Sequence, residues 1–185
     1  MDILTAIGLA LPAGLNAYIP LLGLALAQRF EVVALSEPWD TLGAWWAIAL
    51  IAVLLLVEVL ADKIPAVDHV NDVIQTVVRP AAGAVVAVAA SGQAGENYPF
   101  VMVALGVLLA GGVHVAKATA RPVVNATTGG TGAPVASAAE DVVSVASTAL
   151  AIFAPVLVIG VLAVFGWLVW RFTHRRRSLP DAYSP

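Results

Sequence analysis

The chain has 185 residues, 61% of them hydrophobic and only 11% charged, with a mean hydropathy of +0.94 and a net charge of −3. A soluble domain carries about 25% charged residues, so this is a membrane composition, long enough for one bundle and no separate soluble domain. There is no cysteine, which excludes disulfides, thiolate metal sites, iron–sulfur clusters and cysteine catalysis.

The apolar runs reach helical spanning length without sustained period-two alternation. They predict an all-α polytopic membrane bundle of about five membrane segments, with proline-broken or re-entrant helices. Residues 1–171 read as one transmembrane bundle and 172–185 as a basic, then polar tail. Met-Asp-Ile-Leu-Thr-Ala lacks the positive n-region of a cleavable signal, so it belongs to the first membrane segment. Arg171, Arg175, Arg176 and Arg177 follow an apolar run and put the C-terminus in the cytoplasm.

Segment one runs from about Ile3 to Ala27 and holds Pro12, Gly14, Asn16 and Pro20. Each proline removes one i→i−4 hydrogen bond, freeing the carbonyls of Gly8 and Asn16. An ordinary proline kink is weighed there against a broken helix beside a polar site. Arg29 to Thr41 is a loop, and Trp39, Trp45 and Trp46 suit a membrane interface. Segment two, Gly43 to about Ile64, carries Glu58 and Asp62 one turn apart and ends at Pro65.

Segment three spans Ala66 to Ser91. Asp68, Asp72, Gln75 and Arg79 fall at i, i+4, i+7 and i+11, a single helical stripe. Either the whole segment crosses with that stripe turned inward, or its first half lies at the interface and its second is re-entrant. After a polar turn at Ser91 to Tyr98, segment four extends from Pro99 to about Ala118 and ends in His114 and Lys117, with Arg121 beyond. The Gly/Thr-rich stretch from Asn125 to Pro134 reads as a flexible lid or close helix contact. Segment five runs from about Val142 to Trp170, headed by Glu140 and Asp141. Its roughly 43 Å exceeds a ~30 Å hydrocarbon core, so it tilts, protrudes or breaks at Pro155. Topology then brings the Glu58–Asp72 acids to the same end of the bundle as His114, Lys117 and Arg121.

A charge at a helix centre costs about 2.5–3.5 kcal/mol, so four unpaired carboxylates would cost on the order of 10–14. Glu58, Asp62, Asp68 and Asp72 must therefore be paired, wet or interfacial. With Asn16 they are the candidate substrate or ion site. His69 and His114 are candidate proton relays, and Arg79, Lys117 and Arg121 a candidate site for an anionic head group. Whether a metal binds is left open, and no cofactor is expected. Asn71-Asp72-Val-Ile-Gln75 resembles half of the Asn-Asp-x-x-Asp motif of intramembrane prenyltransferases, but Gln75 replaces the second acid. His-Glu-x-x-His, Gly-x-Ser-x-Gly and a P-loop ending are all missing, which leans away from an enzyme.

Two runs carry a family likeness. Ala13-Gly-Leu-Asn-Ala-Tyr-Ile-Pro-Leu-Leu-Gly-Leu-Ala-Leu-Ala27 is one. Glu58-Val-Leu-Ala-Asp-Lys-Ile-Pro-Ala-Val-Asp-His-Val-Asn-Asp72, followed by Arg79-Pro80, is the other. The chain resembles the bacterial membrane family catalogued as domain of unknown function 4126. The resemblance implies a small multi-pass protein of the bacterial plasma membrane and supplies no activity.

The leading expectation is a transporter or channel for a small ion or polar solute, built on the acidic cluster. The alternatives are a lipid-phosphate translocator using Arg79, Lys117 and Arg121, and a non-transporting scaffold or subunit. The expected partners are the lipid bilayer, a small ion or polar solute, an anionic lipid and further copies of the chain, with no nucleic acid.

Overall fold

The computed structural model describes residues 1–62, 65–129 and 132–160, with 163, 164, 167 and 171 beyond them; the side chains of 65–70, 72, 125 and 133 lie outside the described ones. Among the described residues the elements are all helical. They are α1 (Ile3–Ala13), α2 (Tyr18–Arg29), a 3-10 turn (Trp39–Gly43), α3 (Trp45–Ala61), α4 (Pro65–Ala90), α5 (Gln93–Asn97), α6 (Pro99–Thr128) and α7 (Gly132–Phe153).

Within α4, α6 and α7, stretches Val73–Ala90, Pro99–Thr128 and Pro134–Phe153 are long and apolar enough to cross a membrane. Large apolar side chains lie exposed along α3, α6 and α7, among them Leu50, Leu56, Leu108 and Val142. Such a surface suits lipid, and these helices make the chain a membrane-embedded protein. The core lies at the α1–α4–α6 contact, around Leu9, Ala13, Val86, Ala87 and Ala110. Gly83 and Gly106 face each other across the α4–α6 crossing, and a Cβ on either would run into the other's carbonyl. Small residues let these two helix backbones touch.

The first segment is not one span. It is a hairpin of two half-helices joined by residues 14–17. At 11 and 12 residues, α1 and α2 are about 17 Å long each, little more than half of a ~30 Å core. The outer end of α1 lies at the α4–α5 corner, where Gly92 meets the carbonyl of Met1. The outer end of α2 returns to that same end of the bundle. Arg29 stacks 4.9 Å over the Trp45 ring, and Ser36 in the following loop donates to Glu96 at 2.6 Å. The hairpin therefore enters and leaves by one face, with its tip inside the bundle.

Proline chemistry explains the break. Pro12 sits in the last turn of α1, and its carbonyl accepts from Leu15 N and Asn16 N at 3.0 Å each, closing the helix. Pro20 falls in the first turn of α2, where its missing N–H removes a donor that had no helical partner in any case. A kink would have kept one continuous helix; two prolines eight residues apart permit a stop and a restart.

α4 is helical from Pro65 through Pro80 to Ala90, the expected spanning segment with a polar stripe. The fourth segment differs from expectation. α6 does not end near Ala118 but continues through Pro122 to Thr128, so the Gly/Thr-rich stretch is mostly helix and not a lid. In its last turn Thr127 and Thr128 donate to the carbonyls of Val123 and Val124 at 2.7–3.1 Å. α7 correspondingly begins at Gly132, ten residues earlier than expected, and breaks at Ala154 before Pro155. The polar turn before α6 holds the short helix α5.

Candidate functional site

Four of the helices deliver charge to one place. Arg79 lies about 16 Å of helix from Ala90 and about 21 Å from Pro65, near the middle of α4. His114 is likewise central on α6, and Lys117 and Arg121 follow it at one-turn spacing on the same face. Glu58 and Asp62 close α3, and Glu140 enters from α7. The hairpin tip meets them there.

Arg79 is fully buried and grips two helices. Its Nη2 donates to Glu58 Oε1 at 3.0 Å, and its Nη1 lies 3.1 Å from His114 Nδ1. A guanidinium only donates, so Nδ1 of His114 is an acceptor and the ring has no proton there. The remaining Nε2–H then faces Thr76 Oγ1 at 3.2 Å. His114 is therefore the neutral Nε2–H tautomer, a consequence of its arginine neighbour.

Asp62 is the hub. Its Oδ1 accepts from Asn71 Nδ2 at 2.8 Å and its Oδ2 from Ser137 Oγ at 3.2 Å. The same Oδ2 faces Arg121 at 3.4 Å, Lys117 at 3.6 Å and Arg79 at 3.9 Å. Glu140 takes up the far side of the two α6 cations, 2.8 Å from Lys117 and 3.9 Å from Arg121. Among the described side chains, three cations thus meet three carboxylates, with a formal sum of zero. Such pairing is what allows a charged cluster at this depth, because an unpaired buried charge would neutralise itself or unfold the site.

The tip of the hairpin is held by the same network. Lys117 Nζ donates to the carbonyl of Leu15 at 3.1 Å, at the C-terminal end of α1. Asn16 Oδ1 accepts from Tyr18 N and Ile19 N and so caps α2, while its Nδ2 donates to Asp141 Oδ1 at 3.0 Å. Cation at the C-terminal end and anion by the N-terminal end is the arrangement that half-helix dipoles favour. Ser144 adds a bond to the Pro12 carbonyl at 3.2 Å, tying the end of α1 to α7.

Of the residues singled out from the sequence, Glu58, Asp62, Arg79, His114, Lys117 and Arg121 form this one cluster, and Asn16 joins it through the tip. The side chains of Asp68, His69 and Asp72 lie outside the described residues; their backbone forms the first two turns of α4. The sequence reading did not single out Glu140, Asp141, Asn71 or Ser137 as site residues. Glu140-Asp141 inside an apolar helix was the available signal. Among the described residues, no group of three or more histidines and carboxylates stands together as a metal site.

A membrane-embedded helical bundle wrapped around a buried, charge-balanced network at the tip of a half-membrane hairpin is the class these features define. The chain belongs to the family described as domain of unknown function 4126, whose pattern matches residues 3–175. No curated protein and no solved structure matches the chain.

Proposed function

We propose that this protein is a transporter or channel for a small ion or polar solute, and that the Glu58–Asp62–Arg79–Lys117–Arg121–Glu140 network is its coupling site. The observation that carries the reading is the meeting of a broken helix with buried charges near mid-depth. Charges there are expensive, and half-helix tips at that depth are a recurrent way to hold a small ion or polar group. In this reading the protein sits in a bacterial plasma membrane with its basic tail in the cytoplasm, as the arginine distribution predicts.

The network does not favour an anionic head group. Arg79, Lys117 and Arg121 already face carboxylates, leaving no net positive charge among the described side chains. A scaffold role has one observation behind it: Glu58, Asp62 and Glu140 each have a cationic partner, as expected of ion pairs that only fix helix register.

Proteoliposome flux separates the two. If the network couples transport, Glu58→Gln or Asp62→Asn protein that remains folded will move protons, alkali cations or small polar solutes at least about tenfold more slowly than wild type, an effect of ~1.4 kcal/mol. Identical flux for wild type and both variants across that panel would leave the scaffold reading standing and sink this one.

A further inference from the structure

The Glu58–Arg79 contact is one-armed. Nη2 of Arg79 donates to Oε1 of Glu58, yet Glu58 Oε2 and Arg79 Nε, both buried, have no hydrogen-bond partner. A third such atom is Oε1 of Gln75, a residue only 2% exposed. Gln75 precedes Arg79 by four residues and shares its face of α4. From the first residue of α2, the Tyr18 side chain neighbours Gln75 and senses the charge of Glu58. Two unsatisfied acceptors, one on α3 and one on α4, therefore gather where the hairpin begins its return.

Glu58 Oε2 and Gln75 Oε1 are both acceptors, and the unsatisfied donor Arg79 Nε bonds to neither. An amide oxygen and an ionised carboxylate have nothing to offer each other, whereas a protonated carboxyl can donate to the amide. A metal cation at Glu58 Oε2 would stand beside the Arg79 guanidinium, a like charge in a medium that screens poorly. A proton removes the carboxylate charge without adding a second cation next to arginine.

We infer that Glu58 is a reversible proton-binding site, whose protonated carboxyl directs its Oε2 hydroxyl toward Gln75 and loosens the grip of Arg79. The groups facing it are Arg79 from α4, Asp62 from the end of α3, His114 and Lys117 from α6, and Tyr18 from α2; Glu140 of α7 acts through Lys117. A proton from water converts the carboxylate to the acid and raises the network's formal charge by one. Arg79, still charged, then has Asp62 Oδ2 at 3.9 Å as its remaining carboxylate and His114 Nδ1 as its remaining acceptor. α3 then keeps only the longer Asp62 contact with the middle of α4. The inference deepens the transport reading by naming the proton as the coupling ion.

Infrared difference spectroscopy of the reconstituted protein across a pH series reads the carboxyl itself. The expected result is a protonated-carboxyl band that titrates, shifts when the chain carries isotope-labelled glutamate, and disappears in Glu58→Gln. Gln75→Leu is expected to move the band to the frequency of a weaker hydrogen bond. Labelling assigns the band to a glutamate, one of five in the chain, and Gln75→Leu, which leaves every carboxyl in place, ties it to Glu58 without relying on the Glu58→Gln protein. Absence of any titrating carboxyl band in wild type, a band insensitive to labelled glutamate, or one that persists in folded Glu58→Gln overturns the inference. A titrating Glu58 band in a protein that moves no solute sustains the proton site while transport fails; pH-independent flux without the band does the reverse.

Discussion

Asn16 donates through Nδ2 to Asp141 Oδ1 at 3.0 Å across 125 residues of sequence, while its Oδ1 caps the first turn of α2. One amide thus ties the hairpin tip to α7 and supplies the restart of the broken helix. Asn16→Ala removes both functions and is expected to cost about 1–3 kcal/mol, seen as a lower unfolding midpoint in detergent. Asn16→Asp keeps the cap but sets a second carboxylate against Asp141. That variant is expected to be destabilised at neutral pH and to recover on acidification, whereas Asn16→Ala recovers nothing. Equal pH dependence of the two variants would show that the Asp141 contact contributes little.

Asp62 gathers three cations on one oxygen, so its loss is not a loss of one pair. Asp62→Asn takes away the carboxylate 3.4 Å from Arg121 and 3.6 Å from Lys117. Breaking a buried pair from one side costs about 3–5 kcal/mol, and removing the other partner as well returns part of it. The double variant Asp62→Asn/Arg121→Gln is therefore expected to be more stable than Asp62→Asn alone. A double-mutant cycle in denaturant that comes out additive would mean the two groups do not interact.

Much of this was legible before the fold. The i, i+4, i+7, i+11 stripe on α4 marked Gln75 and Arg79 as inward, and both are buried. Pairing followed from cost: charges in so apolar a chain had to find each other, and connectivity alone brought Arg121 to the end where Asp62 lies. The hairpin was harder to read. Twenty-five apolar residues with two prolines have the length of one span or of two half-helices, and what decides is tertiary. The Gly14 backbone touches the Ala110 carbonyl, and Asn16 finds Asp141 far along the chain. Glu140 escaped for a similar reason, since its role depends on Lys117 and Arg121 arriving from another helix. α6 runs on through Pro122 to Thr128, although a proline read alone suggests an end there.

At the outer end of α1, Asp2 Oδ1 accepts from Thr5 N at 2.9 Å and Thr5 Oγ1 at 3.0 Å. The backbone N–H of Thr5 holds this carboxyl below its ordinary range, against the opposing pull of partial burial. With the folded pKa depressed, the cap's charge-dependent contribution is present above the ordinary carboxylate range and fades as pH falls through the lowered value. Asp2 is largely exposed, which keeps the effect small; Asp2→Ala is expected to cost about 1 kcal/mol or less at neutral pH. Asp2→Asn keeps the cap without the titration. Amide exchange of the first turn of α1, compared between wild type and Asp2→Asn at acidic and neutral pH, checks the sign: only the wild type should fray faster in acid.

The α4–α6 crossing gives a prediction with an internal control. A Cβ at Gly83 or Gly106 meets the other glycine's carbonyl, so Gly83→Ala or Gly106→Ala must push the two central helices apart. Overpacking of this kind costs about 1–3 kcal/mol, and here it also displaces the helices that hold Arg79 and His114. Gly112 lies on the same α6 with nothing within 4 Å of its built Cβ. Gly112→Ala is expected to be neutral or to stabilise by about 0.5–1 kcal/mol, because it removes backbone freedom from a helix interior. Unfolding midpoints of the three variants in one detergent should therefore split by sign, with Gly112→Ala at or above wild type. If Gly83→Ala proves as stable as Gly112→Ala, the close approach of α4 and α6 is not what holds the bundle's centre together.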